Sequence, residues 1–231
     1  MSRPKTPPAA RVAEIYAALD EIHHDAFWHW MPDVVSSPMD IIVGAILVQH
    51  TTWQSAERAL EALRNAGKLD IDVLAAIPDD DLIPLIRVAG TATVKARRLR
   101  AIATTIRAAG GLDAFLALSL GEMRSLLLAT HGVGPETADA IALYAAGLPT
   151  FVVDAYTIRL FRRLGLGPDR NTYDAWRAYF MDATPDAIPG HLQRYHAWIV
   201  LHGKALCRTK PRCPQCPLLP HCPHGAASVQ R

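Results

Sequence analysis

All four cysteines of the chain, Cys207, Cys213, Cys216 and Cys222, fall within sixteen residues as C-x5-C-x2-C-x5-C. Free cysteines scatter along a chain and behave as small buried hydrophobes, so this crowding points to thiols that converge. Pro211, Pro214, Pro217 and Pro220 interleave them and bar a continuous helix, because proline has no N–H to give and its ring obstructs the preceding turn. The segment has to close as a tight irregular loop. A disulfide pair is the plainer reading, but nothing else in the sequence indicates an oxidising compartment. A thiolate-bound metal is expected instead, and tetrahedral sulfur sites suit both zinc and iron–sulfur. Structural zinc sites usually show two short C-x2-4-C knuckles. Only Cys213 and Cys216 are that close here, and the wider gaps on both sides favour a larger object gripped from four directions, a [4Fe–4S] cluster, with zinc left open.

The rest of the chain reads as helix. Apolar residues recur at helical spacing from Val12, Ile15, Tyr16 and Leu19 through Ile41 to Leu47, Leu60 to Leu63, Leu82 to Ile86 and Ala101 to Ile106. Only Thr150 to Val153 reads as a short extended apolar run, after the helix-ending Gly147-Leu148-Pro149. The expected fold is all-α, with residues 1 to about 10 disordered. With 231 residues, half of them hydrophobic, the chain has length for one large or two small domains. It has no apolar run of membrane-spanning length and no secretory h-region, so an intracellular protein without a membrane partner is expected. The net charge of +2 is unevenly spread. Lys95, Arg97, Arg98 and Arg100 form one basic cluster, Arg159, Arg162 and Arg163 a second, and Arg208, Lys210 and Arg212 a third. Each is either a solvated helix face or a phosphate-binding surface.

A weak repeat pairs Leu85-Ile86-x3-Gly90-x5-Ala96 with Leu127-Leu128-x3-Gly132-x5-Ala138. Each copy sets a glycine turn between two helical patterns. In the second, His131-Gly132-Val133-Gly134-Pro135-Glu136-Thr137-Ala138, two glycines are free to take positive φ and Pro135 suits the first turn of the next helix. Backbone N–H groups there can point outward together as an anion site. The first copy has only Gly90 in its turn and is expected to pack rather than bind.

Three ordered motifs now stand together: HGVGPETADAI, then Val152-Val153-Asp154-Ala155-Tyr156-Thr157, then His202-Gly203 leading into the cysteine loop. They resemble the helix-hairpin-helix DNA glycosylases of the endonuclease III superfamily, over about residues 25 to 222. The resemblance implies a two-lobed all-α enzyme binding duplex DNA that carries damaged bases or abasic sites. A six-helix barrel over 38–148 would end in the hairpin, and 1–37 would join 149–231 in an iron–sulfur lobe. It implies a [4Fe–4S] cluster on Cys207, Cys213, Cys216 and Cys222, although the family's first gap is six residues where this chain has five. It also implies a monovalent cation at the hairpin, DNA contacts by Gly132, Val133, Gly134 and Glu136, and Asp154 as the catalytic carboxylate, which has to be ionised. An aspartate placed before a helix is otherwise an N-cap.

In the bifunctional branch a lysine two residues after the second hairpin glycine attacks the sugar. Here that position is Glu136, which has no amine for an imine. The adenine-excising branch needs a glutamate in the early barrel helix, and none stands around Ala45. The hairpin, the Val-Val-Asp run and Ala45 to Thr51 before an aromatic look like the iron–sulfur 3-methyladenine glycosylases, which are monofunctional. By that likeness Trp28, Trp30 and Trp53, with Phe27 nearby, would surround an alkylated, cationic base whose charge an aromatic face attracts. Lys204 would stand near the pocket, and Gln49 and His50 would wedge into the space the extruded base leaves. The bland alternative for the tryptophans is core packing. Two rival functions are an endonuclease III-like enzyme on oxidised pyrimidines and a catalytically silent DNA-damage-binding module. The protein is expected to be a monomer.

Overall fold

A computed structural model describes residues 8–25 and 36–230. The described residues form helices and turns and contain no β-strand. The chain divides into two compact units, Pro32–Leu148 and Met1–Met31 with Pro149–Arg231. No helix among the described residues is long and apolar enough to cross a membrane.

In the first unit, α2 (Pro38–Leu47) is almost wholly apolar and buries Met39, Ile42, Val43, Ile46 and Leu47. A helix apolar all round belongs at the centre of a bundle, and α3 (Trp53–Asn65), α4 (Ile71–Ala76), α5 (Asp79–Ile86), α6 (Ala92–Ala108), α7 (Leu112–Leu116), α8 (Leu120–Ala129) and α9 (Pro135–Ala140) complete one core with it. A π-helical turn, Ile141–Ala145, follows α9. The repeat read from the sequence is realised as two helix–turn–helix units, α5–α6 and α8–α9, whose turn glycines Gly90 and Gly132 have φ of 72° and 82°.

The entry to α2 is fixed by charge as well as shape. Ser37 and Asp40 form a reciprocal capping box, and the fully buried Asp40 also pairs with Arg64 from α3. Burial pushes the Asp40 carboxyl up, but the Ser36 N–H, the Ser37 hydroxyl and the Arg64 guanidinium outweigh it and hold it below the ordinary value. Asp40→Asn is expected to cost about 3 kcal/mol at pH 7, the low end for breaking a buried pair because Arg64 can reach water. The carboxylate's contribution is present above its unfolded pKa of about 3.9 and is lost as pH falls through the depressed folded value. Melting curves of wild type and variant should therefore converge in acid.

In the second unit, α1 (Pro8–His23) packs on α11 (Tyr173–Ala183) and α12 (Pro189–Ala205), and α10 (Ala155–Arg163) packs on α12 and α13 (Pro223–Val229). Pro8, Ala9 and Ala10 form the first turn of α1. Proline is tolerated in a first turn, where its missing N–H has no partner to lose. The core is aromatic: Phe151 stacks on Phe180 with centroids 4.0 Å apart, and Phe161 and Tyr195 meet Phe180 edge-on. The run Thr150 to Val153 is buried but pairs with no strand.

Candidate functional site

The hairpin between α8 and α9 differs from expectation in its backbone. Gly132 takes the left-handed conformation, while Gly134 has φ −94° and ψ 175°, an extended N-cap that any residue can adopt. The Val133 N–H is also spent, on the Thr130 carbonyl at 3.1 Å, so outward donors begin at Gly134. Glu136 is exposed in the first turn of α9. Glycine is needed at 132 for a second reason: the Arg98 side chain lies directly over it, and a Cβ there would come within 2.3 Å of Arg98 Cγ. Gln49 joins this turn, its Nε2 donating to the Gly132 carbonyl and to Thr137 Oγ1, both at 3.1 Å, while its Oε1 accepts from Arg98. Of the two residues expected to enter the duplex, half-buried Gln49 thus has its amide bonded to the hairpin, whereas His50 is exposed.

Asp154 is the N-cap of α10. Its Oδ1 accepts from the Thr157 N–H at 2.7 Å and the Thr157 hydroxyl at 2.8 Å, and its Oδ2 faces His196 Nε2 at 3.7 Å. Burial pushes this carboxyl up, but the His196 imidazole and the Thr157 donors overcome that and hold its pKa below the ordinary value. The cap reading and an ionised, largely buried carboxylate are therefore the same geometry. His196 was not legible beforehand, because it lies on α12, 42 residues further along the chain. Behind it, Gly203 lets Tyr156 pack against α12, where a Cβ would meet the ring at 2.5 Å.

The four cysteines line one small cavity, walled by Leu160, Leu164, Leu206, Leu218 and Leu219. Among the described residues no group of three or more His, Cys, Asp or Glu side chains is arranged as a metal site. Donors reach them from outside: Arg163 Nη1 to Cys207 Sγ and the Gly225 N–H to Cys222 Sγ, each at 3.3 Å. His202 Nε2 lies 3.4 Å from Cys216 Sγ, and its Nδ1 lies 3.2 Å from His23 Nε2. Burial and the neighbouring His23 bring the His202 pKa down to about 4, so the ring is neutral at pH 7. Burial raises the thiol pKa of Cys216 and Cys222, and the neighbouring sulfurs add to it. Four thiolates gathered here, two of them on buried cysteines, would need cationic charge among them, and an all-sulfur donor set of this kind would suit an iron–sulfur group.

Most members of two of the three basic clusters act as internal braces, while Arg97 and Arg162 are exposed. Lys95 is buried and donates to the carbonyls of Leu47 and Ala89, and Arg100 bonds Ile77 and Asp79. Arg159 and Arg163, one turn apart on α10, tie down the carbonyls of Gly203, Cys207, Arg208 and Thr209. Arg208, Lys210 and Arg212 are exposed on the cysteine loop. Trp53 opens α3 half-buried, its ring against Gly44, where a Cβ would stand 3.1 Å away. Lys204 is exposed in the last turn of α12. Phe27, Trp28 and Trp30 lie outside the described residues.

Known proteins share this architecture. The HhH-GPD superfamily of base excision DNA repair proteins matches residues 43–186. The chain belongs to that superfamily. A candidate DNA repair glycosylase of Methanocaldococcus jannaschii is 37% identical over 188 residues, spanning 80% of this chain and 84% of the relative. Endonuclease III of Sulfolobus acidocaldarius is 29% identical over 74% of this chain and 75% of its own. Among solved structures, the 3-methyladenine DNA glycosylase of H. pylori bound to 1,N6-ethenoadenine is 25% identical with a TM-score of 0.72, covering 84% of this chain and 97% of that one. A non-covalent endonuclease III–DNA complex shares the fold at a TM-score of 0.79 and 20% identity, over 98% of this chain and all of that one. The HhH-GPD protein described here is a base excision repair DNA glycosylase.

Proposed function

We propose that this glycosylase is monofunctional, removes alkylated purines from duplex DNA, and uses Asp154 as its catalytic carboxylate. The observation that carries the reading is the pairing of an Asp154 carboxylate held ionised by Thr157 and His196 with a glutamate at the position of the lyase lysine. As the bond from C1′ to the base lengthens, its electron pair leaves with the base and positive charge grows on the sugar. An ionised carboxylate stabilises that charge and can take a proton from the water that forms the new C1′–O bond. A purine made cationic by alkylation departs neutral and needs no proton donor. Without an amine at Glu136, no imine forms there and the strand stays intact.

The aromatic residues Trp28, Trp30 and Trp53 would favour a cationic base, with Lys204 nearby. The hairpin from Gly132 to Glu136, with a monovalent cation on its carbonyls, would hold a phosphate without reading sequence. A [4Fe–4S] cluster on Cys207, Cys213, Cys216 and Cys222 would supply the charge and the cross-links that fix the loop. Arg208, Lys210 and Arg212 would then face the DNA backbone. The enzyme is expected to act as a monomer.

The test is incubation with methylated duplex DNA, assaying free bases and strand breaks before alkali. Release of 3-methyladenine or 7-methylguanine from unbroken strands is expected. The likeness to endonuclease III of S. acidocaldarius supports a second reading, an enzyme on oxidised pyrimidines. Excision of thymine glycol with borohydride trapping would select it, and binding without any release would leave a silent damage-binding module.

A further inference from the structure

Among the cysteines, Cys216 is reached by a side chain that is itself held by another helix. Its Sγ lies 3.4 Å from Nε2 of His202, a wholly buried imidazole in the last turn of α12, and His202 Nδ1 lies 3.2 Å from Nε2 of His23 at the end of α1. The two rings meet edge to face with centroids 5.5 Å apart. A second contact joins α1 to the same loop: Arg11 Nη2 donates to the His221 carbonyl at 3.2 Å, and Glu14 Oε1 lies 3.1 Å from His221 Nδ1. Neither histidine of the pair lies within residues 43–186, the part of the chain that matches the superfamily.

The chemistry of sulfur fixes the direction of these bonds. A thiolate bound to metal has lost its proton, so Cys216 can only accept, and the proton between it and His202 sits on Nε2. A neutral imidazole carries one N–H, and the His202 ring is neutral. Its Nδ1 is then bare and accepts from His23 Nε2.

We propose that His23 and His202 form a directed relay, His23 Nε2–H to His202 Nδ1 and His202 Nε2–H to Cys216 Sγ, through which α1 helps to retain the cluster and raises its reduction potential. Both are positioning residues that act through Cys216. The inference rests on the reading of the loop as a [4Fe–4S] site. A hydrogen bond to a ligating sulfur favours the more negative, reduced cluster, and a partner one step behind a ligand is worth roughly 10–100-fold in metal affinity.

The full-length protein, reconstituted with iron and sulfide, is followed by iron content, by voltammetry and by loss of visible absorption under a chelator. His202→Phe keeps a buried ring and removes both hydrogen bonds. It should lower the potential and speed cluster loss about tenfold, the low end of the range for such partners. His202→Gln, whose amide can donate to sulfur and accept from His23, should recover most of both. His23→Ala should shift both readouts in the same direction by less, and should add nothing in the His202→Phe background, because its effect passes through one residue. Where His202→Phe does not fold, His23→Ala decides, since His23 is only half-buried: a lowered potential supports the relay. The relay is overturned if the potential is unchanged in the folded variants, if the two substitutions add independently, or if His202→Gln behaves like His202→Phe. Wild-type protein that takes up no iron, or that holds zinc instead, overturns the cluster reading and the relay together. An intact cluster indifferent to both histidines overturns the relay alone.

Discussion

Asp154→Asn should reduce base release by roughly two to four orders of magnitude, the usual range for a positioned acid–base group, while changing affinity for an abasic duplex little. Asparagine is nearly as good an N-cap as aspartate. Its carbonyl oxygen can still accept from the Thr157 N–H, now 2.7 Å from Oδ1, so α10 should start where it does and the fold should lose little. What disappears is the negative charge facing His196, the charge proposed to act on the sugar. Single-turnover release from methylated DNA, measured beside binding and melting temperature, separates the two roles of this residue. Activity lost in proportion to stability would make Asp154 only a cap. The pH dependence carries a second check. Because the folded pKa lies below the ordinary value, release should stay level as pH falls to about 4 and drop only below it. The carboxylate's contribution to stability follows the same sign: present above the unfolded pKa, lost as pH falls through the folded one.

Cys213→Ser should abolish visible absorption and lower iron from about four per chain, and it should loosen the segment from Cys207 to Cys222 to proteolysis. That segment has little regular structure: two 3₁₀ turns, Cys213–Gln215 and Leu219–His221, and carbonyls held from outside by Arg159 and Arg163. Local turn hydrogen bonds and the buried Leu218 help to hold it, and a group bound by the sulfurs would add to that, since metal binding and folding are coupled when a site is not preformed in the unfolded chain. Loss of the third basic cluster with the loop should then weaken binding to all sequences alike and flatten the salt dependence. One zinc per chain without colour would replace the cluster by a zinc site. Unchanged colour and protease resistance would remove Cys213 from the ligand set.

Helix periodicity, the glycine-centred repeat and the crowding of cysteines are local, and they were legible because each depends on spacing within one short segment. The α5–α6 and α8–α9 units follow from a left-handed glycine between two apolar stripes, which any reading of Gly90 and Gly132 can anticipate. Asp154 could be found, but not its partner His196, because the charge that keeps a buried carboxylate ionised comes from another helix. Gly134 was misread for a related reason: two glycines permit two positive φ values, but only the turn actually formed selects Gly132. The basic clusters could not be resolved from spacing. Lys95, Arg98, Arg159 and Arg163 look like a phosphate-binding surface in one dimension, yet in the fold they donate to carbonyls and to Gln49.

The sequence by itself determined that this is an all-helical glycosylase of the HhH-GPD superfamily with a sulfur-lined loop, an aspartate heading a helix, and no hairpin lysine. These are matters of residue type and spacing. Only the tertiary structure decided which charges are spent and which are left over. A charged side chain reaches several ångströms and takes the nearest backbone or side-chain acceptor that folding brings to it, and that acceptor is usually far away in sequence. The bonding of Gln49 to the hairpin and the His196 beside Asp154 both arise in this way.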